Sequence, residues 1–505
     1  MRPYTKQDIL SIYEQLKTIA KKAAKDHNIL KSIKYIEASA YWAYNFNWMY
    51  YDEELENLLK HISQEITECV DIINLNSNRA VFLDSFCLDN RGLTQQYLRA
   101  MMRNGMSILY ICTANSIKEN SDILKELKEY SGSSLVLFND KRYNPIEKTI
   151  VIKKTIEKYN PSHVFLHLTP WETSALMACH SINGPSIYNI NLTDHAFWMG
   201  ASFINFNVEF RLYGTSVSLE KRGLKKSQIL FLPYYPITPI SLDFKGFPEL
   251  PSNSIIVFTG GGLYKMLGMN DIFFRMMERI LSVSENVYIL VAGFNYSNVF
   301  ENKCSKIKGG NRIRQIGIRK DIDEVFAHCD IFLGTYPTSG SLMVQYAAKH
   351  GKPIVSYRNI NDEENALEEI LNCNSDDFKT YTSLEEMTEY ASKLIKDADY
   401  RLNEGKRMAS FIITPDQFEK NFCKMKDLHE PIKNKGNYSI DYDSFFKRYL
   451  ELENAQFLAT KSMVRLMKLE TIWSLSSYRC NFCEQLFKLF VARIRRLMSC
   501  RFFSV

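Results

Sequence analysis

Residues 328–355 read HCDIFLGTYPTSGSLMVQYAAKHGKPIV, and this stretch decides the fold. The apolar run 331–333 predicts a strand that ends in a loop of small residues, 335–341. A helix starts there and runs to about residue 350. Gly351-Lys352-Pro353 then closes it and leads into a strand at 354–357, as a glycine just past a helix followed by proline should. The stretch is a βαβ unit. Its helix N-terminus, at the carboxyl end of a strand, offers free N–H groups and a positive dipole end to a phosphate.

Working outward, the same alternation continues on both sides. Upstream lie predicted strands at 254–259, 287–292 and 312–316, with helices near 270–282 and 321–328 between them. Further upstream a second alternating block holds strands at 80–84, 107–112, 134–138, 163–168 and 186–191, and a strand-like run at 228–232. Between the blocks, residues 233–251 contain five prolines and no sustained periodicity, which marks a linker. The expectation is α/β: two doubly wound, Rossmann-like domains with a cleft between the carboxyl ends of their sheets. The predicted organisation is a helical region at 1–75, a first Rossmann-like domain at 76–240, a second at 250–430 and a helical tail at 431–505.

Composition fits this reading. The chain has 505 residues, enough for two or three domains, and its 46% hydrophobic and 24% charged residues are a globular balance. The net charge of +6 is small and Lys and Arg are spread along the chain, which argues against a nucleic-acid binder. Eleven cysteines show no disulfide spacing, and Cys480 and Cys483 form a CxxC without a second pair. The N-terminal MRPYTKQDIL has no apolar core of a signal, and no run reaches the ~18 apolar residues of a membrane span. A cytoplasmic location is expected, with the inner face of the membrane as a variant. The tail motivates that variant. Leu486, Phe487, Phe490, Ile494, Leu497 and Met498 recur at helical spacing among Lys488, Arg493, Arg495, Arg496 and Arg501. Such a helix either makes peripheral contact with an anionic membrane or packs across the domains.

Candidate chemistry gathers at strand ends. Residues 256–265, IVFTGGGLYK, are a strand followed by Gly260, Gly261, Gly262 and then Lys265. Glycines let backbone N–H groups approach an anion closely, and the lysine adds a point charge. In the first block, residues 188–200 read YNINLTDHAFWMG, a strand running into a turn that carries Asp194, His195 and Trp198. His195 is a candidate general base, with Asp194 to orient it. A structural Asp-His turn is the alternative. Gly92 and Thr94, in the polar loop after the first strand, Trp171, after another strand end, and Trp198 are candidate acceptor contacts. Helix capping or stapling accounts for them equally well. The two DxD strings, at Asp321/Asp323 and Asp441/Asp443, open a predicted helix and lie in the tail, so no metal site is expected.

The order LYK after a glycine-rich strand end, then DIFLGTYPTSGS, then GKPIV, resembles the donor domain of GT-B glycosyltransferases. The nearest branch is that of the O-GlcNAc transferases and bacterial adhesin glucosyltransferases, and the resemblance covers about residues 185–360. It implies transfer of a hexosyl or N-acetylhexosaminyl group from a nucleotide sugar, a UDP-sugar being favoured, to a glycan, lipid-linked or protein acceptor, with no cofactor. It implies that Lys265 holds the diphosphate and that Gly340, Ser341 and Leu342 present N–H groups, with Thr335, Tyr336 and Ser339 in the same loop. One departure matters. Where many such enzymes carry an acid that reads the ribose, this chain has Tyr346, and the earlier member of the retaining glutamate pair falls on Thr338. An inverting, metal-independent transfer is therefore expected. A non-catalytic binding subunit and a nucleotide-sugar epimerase are the other readings.

Overall fold

A computed structural model describes residues 1–502 apart from 115–116, 119–120, 140–142, 238–241, 374–375 and 432–437; the side chains of 471, 472, 476 and 492–502 are not among those described. The first sheet has seven parallel strands: β1 (Asn76–Asp84), β2 (Ser107–Cys112), β3 (Ser133–Leu137), β4 (Pro161–His167), β5 (Ser186–Ile190), β6 (Phe206–Glu209) and β7 (Ile229–Phe231). Their spatial order is β3-β2-β1-β4-β5-β6-β7. The second sheet repeats the pattern with β8 (Ile255–Gly260), β9 (Val287–Ala292), β10 (Ile313–Gly317), β11 (Ile331–Leu333) and β12 (Ile354–Val355), ordered β10-β9-β8-β11-β12. In both, the order reverses beside the first strand. That leaves a crevice between the carboxyl ends of β1 and β4, and another between those of β8 and β11.

The strands form where both faces can be buried. Val257, Phe258 and Thr259 of β8 and Ile289, Leu290 and Val291 of β9 are all buried, as strands covered on both sides should be. β6 is absent from the sequence reading because two of its three buried residues are polar and only Val208 is apolar. Asn207 and Glu209 are fully buried, and Asn207 and Asn191 donate to Glu209 Oε1 at 2.6 and 2.9 Å.

Three helices precede the first sheet: α1 (Lys6–Lys25), α2 (Ile29–Phe46) and α3 (Glu53–Ile66). A capping box between Thr5 and Asp8 starts α1, and Trp42 and Phe46 of α2 are fully buried. Two later helices matter for the cleft: α4 (Leu212–Lys221), after β6, and α5 (Ser341–Lys349), after β11. The tail returns to the N-terminal helices as α6 (Tyr442–Gln456), α7 (Leu458–Met467), α8 (Glu470–Ser474) and α9 (Arg479–Phe502). Phe446, Met463 and Phe482 join the same core as Trp42 and Leu166. Among the described residues no helix is long and apolar enough to cross a membrane.

Candidate functional site

The crevices of the two sheets face each other across one cavity of about 440 Å³. On the second-sheet side Lys265, Thr338, Ser339, Ser341, Leu342 and Glu364 line it. Lys265 follows β8, and its Nζ donates to the Ser339 carbonyl at 3.0 Å, across the crevice from the loop after β11. Burial lowers the Lys265 ammonium below its ordinary value, with Glu364 opposing. Gly340 is the N-cap of α5 and gives it no side-chain cap, so the first turn of that helix opens on the cavity through Ser341 and Leu342. The turn is held from behind, since Asn365 accepts from Ser339 N at 2.9 Å and donates to the Pro337 carbonyl at 2.9 Å.

On the first-sheet side Asp194, His195, Arg211 and Gly92 line the cavity. The Asp194 carboxylate takes two bonds from Arg211, at 2.5 and 3.0 Å. Burial raises this carboxyl, but Arg211 outweighs it and holds Asp194 well below the carboxylate range. His195 Nδ1 stands 3.5 Å from Asp194 Oδ1, the long edge of a hydrogen bond, and its ring is partly open to the cavity. The turn is also clamped from below. Arg222 Nη2 donates to the carbonyls of Asp194 and Ala196, at 2.8 and 2.7 Å, on either side of His195. Gly214 in α4 permits this approach, since a Cβ there would collide with Glu209 Oε2 and Asp194 Cβ.

The third wall was missed by sequence reasoning. Tyr44 and Asn45 of α2, and Tyr449, Leu452, Glu453 and Gln456 of α6, roof the cavity. Tyr449 Oη donates to Glu364 Oε1 at 3.0 Å, and the buried Arg448 pairs with Glu364 Oε2 and with Asp362. Burial raises the Glu364 carboxyl, but Arg448, His195 and Arg211 outweigh it and keep it below its ordinary value. Arg211 Nη1 also reaches the Glu364 carbonyl, at 2.7 Å, and so ties the two domains at the cavity itself. The only sequence signal for Glu364 is the acidic run Asp362-Glu363-Glu364 after β12.

Several expected site residues stand elsewhere. Tyr346 is a correction. Its hydroxyl donates to the Ile237 carbonyl at 2.5 Å and to that of Asn90 at 3.3 Å, so it closes the seam between linker and domains and does not line the cavity. Thr335 and Tyr336 are buried and brace the loop from inside, through Thr338 O at 2.7 Å and Asp362 at 3.2 Å. Gly260, Gly261 and Gly262 are likewise outside the lining. Their strand end packs tightly on β9, where a Cβ on Gly293 would strike Gly261 O. Thr94 is also misplaced as an acceptor contact: it is fully buried and donates to Asp84 at 2.9 Å, beside Tyr110 and His167. Trp198 lies buried under Arg222, 5.2 Å from its ring, and Trp171 packs edge-on behind Tyr44 at 5.4 Å. Asp321 pairs with Arg319 and Asp323 with His350. Among the described residues no cluster of three or more His, Cys, Asp or Glu could hold a metal ion.

No protein-family model and no curated protein sequence matches the chain. Solved structures do. The chain is similar to a glycosyltransferase of Rickettsia africae, with a TM-score of 0.51 and 13% identity over 70% of this chain and 99% of that one. It is similar also to a mutant of the O-GlcNAc transferase of Thermobaculum terrenum, with a TM-score of 0.52 and 12% identity over 87% of this chain and 82% of that one. Two parallel sheets with reversing strand order face each other across one cavity, and with this likeness to solved structures the fold of the chain is the two-domain GT-B fold of glycosyltransferases.

Proposed function

We propose that the chain transfers a sugar from a nucleoside diphosphate, UDP first among those to test, to a hydroxyl acceptor, with inversion and without a metal ion. One observation carries this reading: Lys265 and the uncapped start of α5 share a single cavity with His195 on the opposite wall. The first pair suits a diphosphate, which gains charge as it leaves. Lys265 and the amides of Ser341 and Leu342 neutralise that charge where a metal would otherwise serve. His195 Nε2 takes the proton of the acceptor hydroxyl as its oxygen bonds to the anomeric carbon. The bond from that carbon to the diphosphate breaks and its electron pair leaves with the phosphate oxygen. Asp194, committed to Arg211, fixes the turn that presents His195. Glu364, with Tyr44, Tyr264 and Tyr449 around it, gives the cavity the carboxylate and ring faces that suit sugar hydroxyls and a sugar ring.

The test is product analysis with UDP-glucose and UDP-N-acetylglucosamine in EDTA, following UDP release and the anomeric configuration of the product. An inverted product, and at least a hundredfold loss of turnover in His195→Ala, are expected. A retained configuration, or turnover that needs a divalent cation, would overturn the mechanism. Unchanged turnover in His195→Ala would remove the base.

A further inference from the structure

The tail after α6 carries a surface that the transfer reaction does not use. Seven large apolar side chains are more than three-fifths exposed among the described residues, and four of them fall between 469 and 490: Leu469, Trp473, Phe487 and Phe490. Trp473, at 82% exposed, is the most open of all. Isolated exposed apolar residues need no explanation, but four within 22 residues of a 505-residue chain do. Phe487 and Phe490 stand three residues apart on one helix face, and the exposed Cys483 and Cys480 extend that stripe one and two turns back.

Charge is concentrated in the same segment. Residues 458–505 hold nine Lys and Arg against two Glu, a net +7, whereas the whole chain is +6 and the rest therefore −1. An aromatic and aliphatic surface set in a segment of net charge +7 complements an anionic lipid headgroup layer over an acyl boundary. A second copy of the chain would present the same +7 to itself, so charge disfavours self-association.

We infer that α8 and α9 dock the protein on an anionic lipid surface through Trp473, Phe487 and Phe490. The placement bears on the acceptor, and here the inference rests on the proposed transfer. Leu458 and Ala459, the first residues of α7, line the cavity, and Leu469 follows the end of that ten-residue helix. At 1.5 Å per residue the docking surface begins about 15 Å from the cavity wall. A glycan carried on a lipid spans that distance with a few sugar units, so the acceptor class is a lipid-linked glycan.

The experiment is sedimentation of the full chain with vesicles of phosphatidylcholine alone or with one-third phosphatidylglycerol, at low and high salt. The comparison variant is Trp473→Ser/Phe487→Ser/Phe490→Ser, in which every change is at an exposed position. Its melting temperature and its UDP affinity by calorimetry are measured alongside. Binding to the anionic vesicles, weakened roughly tenfold by salt and again roughly tenfold in the triple variant, is the expected result. Absence from the pellet, or equal binding to both vesicle types in both proteins, overturns the docking surface. So does a wild-type dimer that the triple variant dissolves into monomers, which would assign the surface to a second copy. Vesicle binding without UDP binding keeps the docking and removes the transferase reading with its acceptor, and UDP binding without vesicle binding does the reverse.

Discussion

Replacing Lys265 with methionine keeps the aliphatic stem that fills the crevice and removes only the charge, so the consequence can be worked from its surroundings. The ammonium now donates to the Ser339 carbonyl at 3.0 Å, beside the start of α5. A diphosphate seated there exchanges that bond to a neutral carbonyl for one between two charged partners, so the gain is the part of the ion–ion attraction that survives desolvation. The unscreened attraction at 4 Å sets an upper bound of about 4 kcal/mol at the effective dielectric of a partly open site. Burial has already lowered the ammonium, against the pull of Glu364, so little further desolvation is needed on binding. The net loss in Lys265→Met is about 2–3 kcal/mol, a roughly 30- to 150-fold weaker Kd for UDP by titration calorimetry in EDTA. Uridine, which lacks the phosphates, should lose less than about twofold. The pH dependence has a definite sign. A bound diphosphate raises the lysine pKa and the free protein holds it low, so affinity falls as pH rises through the free-protein value, which lies below the ordinary lysine range. Methionine should abolish that alkaline limb. A change in UDP affinity below about threefold, or an equal loss for uridine and UDP, would refute the assignment of Lys265 to the diphosphate.

Other perturbations follow from buried charges and seams. Arg448→Met strands Asp362 and Glu364 without their guanidinium and should cost about 3–5 kcal/mol in denaturant unfolding; a loss under about 1 kcal/mol would mean that the pairs add nothing. Glu209 is pushed up to about 7 by burial, with Arg222 opposing, so as pH rises from about 4.5 through 7 the native state loses stability at this site. Glu209→Gln should therefore match the parent at pH 5 and exceed it by about 3 kcal/mol at pH 8, and a pH-independent difference would contradict the shift. Tyr346→Phe removes the bond to the Ile237 carbonyl and should cost about 1 kcal/mol of stability with UDP affinity unchanged. A tenfold loss of UDP affinity would return Tyr346 to the donor site.

The architecture was legible because parallel strands covered on both faces leave apolar runs that local pattern reports. β2, β9 and β11 fall on 107–112, 287–292 and 331–333, as the sequence predicts, and the strand-to-helix loops between them mark where Lys265 and Ser341 stand. β6 was illegible because only Val208 of its buried residues is apolar and the other two make their core contacts as hydrogen bonds. Asn207 and Glu209 read as solvent-facing until Asn191 and Ser218 are brought to them. Losing β6 hid Arg211, which follows it, and with Arg211 the actual partner of Asp194, so the reading gave that carboxylate to its neighbour His195 alone.

The roof of the cavity was hidden for a different reason. Tyr449 and Glu364 are 85 positions apart, and Tyr44 lies in an aromatic stretch that reads as core. Local periodicity says that a helix has an inward face but not which distant loop that face meets. Tyr346 shows the converse error. Its offset from Gly351 matches a family position, yet spacing fixes only where it sits on α5, and its hydroxyl reaches linker carbonyls that spacing does not see. Residues whose roles depend on one strand and its own loop were therefore found. Those whose roles depend on which segments meet, Arg211, Glu364 and Tyr449, needed the fold, and together they couple the tail to both walls of the cavity. A change in α6 should on this account alter donor affinity as well as stability, because Arg448 and Tyr449 hold the loop that carries Glu364 beside Lys265.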